Sequence, residues 1–222
     1  MNESERTIRV TGRGKLSVKP DTVRLIITQS ERSKTYDAAV KASAKQKKAL
    51  TEAIAGQGFK KTDLKTLSFN VHAEYEGYEA EDKSWKQRLV GYRYTHRMKL
   101  EFPVESGKLG KVLAALVECK GEPEFSIQYT ISDPESAKNE LLAKAVADSR
   151  AKAEVLAGAA GVSLGEICFI DYSWSEVDFV TAPMNDMRVL GAPMAKSAII
   201  EPDIEPDDIE VTDTVTVVWG IS

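Results

Sequence analysis

The sequence predicts an α+β protein: a mostly antiparallel sheet in two related β-α-β-β lobes, with helices packed on one side. Three observations carry that expectation. Stretches of strict two-residue alternation end at turn-forming residues, as half-buried strands do. Longer stretches repeat apolar residues every three to four positions, as helices resting on a core do. Their order along the chain reads β-β-α-β-β-α-β-α-β-β, which mixes hairpins with helical crossovers.

Residues 8–18 open the series. Ile8, Val10, Gly12, Gly14, Leu16 and Val18 share one parity, and Lys19-Pro20-Asp21 supplies a turn. Residues 23–29 continue as a partner strand, giving a first hairpin. A helix is expected over 35–55, with Tyr36, Val40, Ser43, Lys47, Leu50 and Ile54 on its buried stripe and Gly56 and Gly58 as its stop. Two strands follow. In the first, Leu67, Phe69, Val71, Ala73 and Tyr75 share a face; in the second, Val90, Tyr92, Tyr94, His96, Met98, Leu100 and Phe102 do. The acidic stretch between them, 76–88, reads as a loop that exposes Tyr78 and Trp85.

Ser106 suits the cap of a short helix whose stripe is Leu109, Val112, Leu113, Leu116 and Val117. Phe125, Ile127, Tyr129 and Ile131 make a fifth strand. Asp133 is a fitting N-cap, and Pro134 the first residue, of a long helix with Leu142, Val146, Ser149, Ala153, Leu156 and Ala160 inward. Its alanines let it lie close to a sheet, and Glu140–Lys144 and Asp148–Lys152 are favourably oriented pairs. Cys168, Ile170, Tyr172 and Trp174 continue as a strand. Residues 175–208, rich in proline and acidic groups, break the periodicity, and Ile209, Val211, Val215, Val217 and Trp219 close the chain as a last strand. Residues 7–220 thus form a single domain with pseudo-repeats over about 22–102 and 124–220, joined by the helix at 106–119.

Composition excludes several classes. A net charge of −4 argues against a protein that tracks nucleic-acid phosphates. No run of about 18 apolar residues is present to span a membrane as a helix. Residues 1–6 lack the features of a signal peptide, so a cytoplasmic location is expected for the chain as it stands, with the periplasm as the alternative if a leader was trimmed. Cys119 and Cys168 read as two buried free thiols.

His72 belongs to the polar face of its strand and His96 to the apolar face of the next, so they point to opposite sides and form no metal pair. His96 reads as a hydrogen-bonded core histidine. With no Gly-x-Ser-x-Gly elbow, no Ser–His or Cys–His pair is proposed. Met184, Met187 and Met194 bring soft sulfur together, but no cysteine or histidine accompanies them, so adaptable contact surface is the expected use. Gly12-Arg13-Gly14 lies inside a strand and is no phosphate loop; its glycines mark a bulge or a close backbone approach. The acidic residues Glu201, Asp203, Glu205, Asp207 and Asp208 lack EF-hand spacing and read as a solvated linker. No catalytic residue, metal or cofactor is assigned.

Several of these segments carry a family pattern. Val10-Thr11-Gly12-Arg13-Gly14, Val18-Lys19-Pro20-Asp21, Asp63-Leu64-Lys65-Thr66 with Tyr75, Gly91-Tyr92-Arg93, and the helix at 147–165 with Arg150, Lys152-Ala153-Glu154 and Leu164-Gly165 together resemble the SIMPL (DUF541) family, the 26-kDa periplasmic immunogenic protein group. The resemblance runs from about residue 7 to residue 220. It implies no established reaction, cofactor or catalytic residue. It does imply bacterial relatives that are mostly exported, some linked to stress tolerance and some forming ring-like oligomers. The expected function is therefore non-enzymatic: self-assembly or protein binding, as a homo-oligomer or with a protein partner, in an envelope or stress setting. The contact residues are Tyr78, Trp85, Met184, Met187 and Met194. One alternative is a small-molecule or lipid binder with a pocket between the lobes lined by Tyr92, Tyr94 and His96. The other is an unrecognised enzyme.

Overall fold

The computed structural model describes residues 6–105, 107–119, 123–172, 177–182 and 206–222. In chain order the elements are β1 (Thr7–Val18), β2 (Thr22–Ser33), α1 (Tyr36–Ala55), β3 (Lys65–Glu79), β4 (Trp85–Pro103), α2 (Lys108–Val117), β5 (Glu124–Thr130), α3 (Pro134–Ala160), β6 (Leu164–Asp171) and β7 (Ile209–Ile221). The strands form two sheets, β1-β7-β6 and β3-β4-β2-β5, so the architecture is α+β. The expected first hairpin does not form: β1 pairs with β7 and β2 with β4, both antiparallel. Period-two alternation identifies a strand but not its partner, and the turn at 19–21 instead carries the chain from one compact unit to another.

The three-stranded unit comprises β1, α3, β6 and β7. The β1–β7 pair runs without a bulge from Thr7↔Gly220 to Val18↔Ile209. Val10, Leu16, Ile209, Val211, Val215, Val217 and Trp219 are buried. Gly12 and Gly14 explain how α3 reaches this sheet. A Cβ on Gly12 would stand 2.0 Å from the Ala145 carbonyl oxygen, and one on Gly14 would stand 2.1 Å from that of Leu141. The glycines are a close approach of strand and helix backbones, not a bulge. The helix meets them with Ala137, Leu141, Ala145, Ser149, Ala153 and Ala157, a row spaced by four. Of the expected inward stripe, Ser149 and Ala153 stand; Leu156 is half exposed instead. Fit against a bare strand, rather than greatest hydrophobicity, chooses the buried face. The helix ends follow the sequence: Asp133 accepts a hydrogen bond from the Ser136 amide at 3.0 Å, Pro134 opens the first turn, and Gly161 takes φ 69° at the exit. The Glu140–Lys144 and Asp148–Lys152 pairs close at 2.8 and 2.7 Å. Of residues 175–208, read as irregular, Phe179 is buried beside Leu141 and Ile209, and its carbonyl accepts from Thr130 Oγ1 at 2.7 Å. Trp174 lies outside the described residues.

The four-stranded unit holds α1 and α2 over the inner face of its sheet. Val23, Leu25 and Ile27 of β2, Met98, Leu100 and Phe102 of β4, and Ile127 and Tyr129 of β5 meet Leu50 and Ile54 of α1 and Val112 and Leu116 of α2. β5, placed by the sequence at the head of the second lobe, lies beside β2, while β1 flanks β7. Thr35 caps α1 by accepting from the Ala38 amide at 3.2 Å. The buried stripe of α1 is Ala39, Ser43, Leu50 and Ile54. Tyr36 and Val40, expected inward, are exposed, and Tyr36 instead meets the Tyr92 ring edge-on at 6.0 Å. The expected Ser106 cap lies outside the described residues.

Candidate functional site

Two features of the four-stranded unit stand out: a protruding two-stranded arm, and a polar cluster buried beneath α1. The stretch expected as a loop at 76–88 is mostly strand. Pairing of β3 with β4 continues past the end of β2 to Glu79↔Trp85. Gly91 opposes Glu74 and Leu89 opposes Tyr75, leaving Val90 as an extra residue where the arm begins. The turn closes with the Ala80 amide donating to the Ser84 carbonyl at 2.8 Å and Asp82 accepting from the Ser84 amide at 3.0 Å. Acidic composition suggested a loop, yet cross-strand pairs sustain the ribbon. Arg88 bonds Glu76 at 3.1 Å and lies 5.7 Å from the Tyr78 ring centroid.

The arm has an apolar face and a polar one. Tyr75 and Leu89 oppose each other, and Trp85 lies on the same face, its indole beside Gly77, where even a Cβ would stand 3.8 Å away. Trp85 is 78% exposed and Tyr75 61%. The opposite face carries Glu76, Lys86 and Arg88 around Tyr78, which is 39% exposed. The apolar row continues down β3 to Phe69, also exposed, because α1 packs mainly over β2 and β4. Two-stranded ribbons are marginally stable alone in water, so this face has reason to seek a partner.

Beneath the N-terminal half of α1 the sheet turns polar. Gln29, Ser43 and His96 are buried there, and Tyr94 is fully enclosed. His96 Nε2 lies 2.9 Å from Thr66 Oγ1 and Nδ1 lies 3.4 Å from Ser43 Oγ, while Phe69 meets the ring edge-on at 5.3 Å. The structure therefore brings together a Ser–His pair that no sequence motif announces. Ser43 lies on the buried stripe of α1 that periodicity predicts, and only tertiary packing sets it against His96. Both imidazole nitrogens are taken up by hydroxyls, which suits a structural role. Burial, then the nearby Lys47 charge, holds the His96 pKa below its usual value.

That shift predicts acid sensitivity. Below about pH 6.5 the unfolded chain takes up this proton before the folded one does. The His96 contribution is thus complete above that pH and is lost as pH falls through the folded value. The ceiling is about 1.4 kcal/mol per pH unit for one proton. Urea unfolding between pH 7.5 and 5 should show the slope, and His96→Gln should flatten it; an identical slope in that variant would refute the assignment.

The other expected residues are scattered. Tyr92 meets the edge of Tyr36, His72 is exposed on β3, and Met184, Met187 and Met194 lie outside the described residues. Cys119 is buried, but Cys168, expected to be buried, is exposed on β6, because α3 lies over β1 and β7 rather than this edge strand. Among the described residues no three of His, Cys, Asp and Glu gather as a metal-binding group, and no helix is long and apolar enough to cross a membrane. Sequence reasoning also passed over Asp213, a buried carboxylate that accepts from Tyr172 Oη at 2.9 Å and from the Thr214 amide at 2.7 Å. Its even spacing among the β7 apolar residues was the available signal.

Helix-on-sheet units and a projecting aromatic arm define an α+β protein whose most accessible chemistry is apolar contact. A family model described as SIMPL, protein of unknown function (DUF541), matches residues 8–219, so the chain belongs to the SIMPL family. It is similar to the 26 kDa periplasmic immunogenic protein of Brucella melitensis, 27% identical over 160 residues that cover 72% of this chain and 64% of the relative. The protein of the same name from Brucella abortus is 26% identical over 160 residues, with the same shares covered. The match thus spans just under two thirds of these relatives' own length. Both names say periplasmic, which fits the second of the two expected compartments and lends nothing to the cytoplasmic one.

Proposed function

We propose that this chain is a non-enzymatic assembly or protein-binding member of the SIMPL family, working in the cell envelope, with the arm and adjoining β3 face as its contact surface. The observation that carries this reading is the apolar face of the arm. Tyr75, Trp85 and Leu89 stand largely exposed on a ribbon that no third strand supports among the described residues. Aromatic side chains bury large areas and lose little rotamer freedom, so they suit the centre of an interface. Tyr78 extends the contact to the opposite face, and Met184, Met187 and Met194 are proposed as further adaptable contacts. The periplasmic names of the relatives support the compartment.

Light scattering over a range of concentrations tests the reading. The intact chain should show a discrete mass above the monomer. Trp85→Ser with Leu89→Ser should lower that mass while leaving the circular dichroism spectrum unchanged. A monomer at every concentration rejects self-assembly, and an oligomer indifferent to the substitutions rejects the arm as its interface.

A further inference from the structure

The polar cluster beneath α1 contains three buried side-chain atoms without a protein partner among the described residues: Gln29 Oε1, Gln46 Oε1 and Tyr94 Oη. Gln29 is 1% exposed and Tyr94 0%. Their connections close a ring. Glu31 opposes Tyr94 across β2 and β4, and Gln46 Nε2 donates to Glu31 Oε2 at 2.5 Å. The Gln46 carbonyl in turn accepts from Gln29 Nε2 at 3.2 Å, and Gln29 opposes His96, two residues along β4 from Tyr94. All three residues therefore belong to one corner bounded by β2, β4 and α1.

Their chemistry specifies what fits. The two amide oxygens are acceptors and cannot satisfy each other. Their orientations are determined by the opposite ends of the same amides, since each NH₂ already has an acceptor. The Tyr94 hydroxyl keeps its proton, because burial and the Glu31 charge push its pKa up to about 12. The set is thus two acceptors and one donor. A water molecule can donate twice and accept once, matching the three hydrogen bonds that buried waters typically make.

We propose that this corner is a built hydration site, holding one ordered water that accepts from Tyr94 Oη and donates to Gln29 Oε1 and Gln46 Oε1. The water ties α1 to both central strands where their interface is polar. A metal cation is the weaker fit, since the carboxylate at hand, Glu31, is engaged by Gln46 Nε2.

Thermal unfolding of Tyr94→Phe tests it. Loss of a hydrogen bond to a held water should lower Tm by about 2–4 °C, whereas deletion of an unsatisfied hydroxyl would leave Tm unchanged or raise it and overturn the proposal. A crystal structure of the intact chain gives a readout independent of the variant. One peak at about 2.7–3.2 Å from all three atoms is expected, and its absence overturns the site. Exchange of potassium for choline at constant ionic strength should leave Tm unchanged; a potassium-specific rise would assign a cation and overturn the water.

Discussion

Gly12→Ala will lower the unfolding free energy by about 3 kcal/mol, the upper end of what overpacking a close contact costs. The added methyl would meet the Ala145 carbonyl at 2.0 Å, the Ser149 amide nitrogen at 2.6 Å and Ser149 Cβ at 2.7 Å. None of these is the far end of a flexible chain, so α3 as a whole must move off β1. That movement would disturb Trp219, whose indole donates to Ser149 Oγ at 3.3 Å and which is buried beside Ala145 and Ala153. Urea unfolding followed by fluorescence and circular dichroism measures the loss. Gly158→Ala is the internal control: it lies on α3 with nothing within 4 Å of the added Cβ, and should gain about 0.5–1 kcal/mol. Equal stabilities for Gly12→Ala and the unsubstituted chain would show that helix and strand are not in backbone contact.

Gly91→Ala should cost about 2–3 kcal/mol and act on the arm as well as on stability. The residue takes φ 155°, and a Cβ there would stand 2.6 Å from the Ser33 carbonyl oxygen. Ser33 is the last residue of β2, paired with Tyr92, so the strain falls where the arm leaves the sheet. Relief requires β4 to rotate or to part from β2, which re-aims Tyr75, Trp85 and Leu89. Reduced urea stability together with a changed assembly mass is the expected pair of results. Full stability would show that the bulge absorbs a side chain and does not set the direction of the arm.

Much of this was legible in advance. Strand and helix positions followed from periodicity, because alternation and the 3.6-residue repeat reflect local backbone geometry that each segment has by itself. Capping at Asp133 and Gly161 is equally local. The errors share a cause. Of the stripe expected for α3, Ser149 and Ala153 are buried, but Leu142, Val146, Leu156 and Ala160 are not, since the partner strand carries glycine at the contact and the helix presents its alanine row. The polar composition of the arm points to a loop, while its pairing joins residues that only folding brings opposite each other, from Glu79 with Trp85 to Tyr75 with Leu89. Ser43, Thr66 and His96 meet from three separate elements, so no spacing could announce them.

The sequence by itself determined the α+β class, the order of elements, the glycine motif and the family, all of which rest on short-range patterns. Only the tertiary structure decided that β1 joins β7 instead of β2, which strand faces stay uncovered, and that polar side chains converge beneath α1. The physical reason is that a residue's periodicity states which way it points, whereas its burial and its partners depend on which distant segment arrives to cover it.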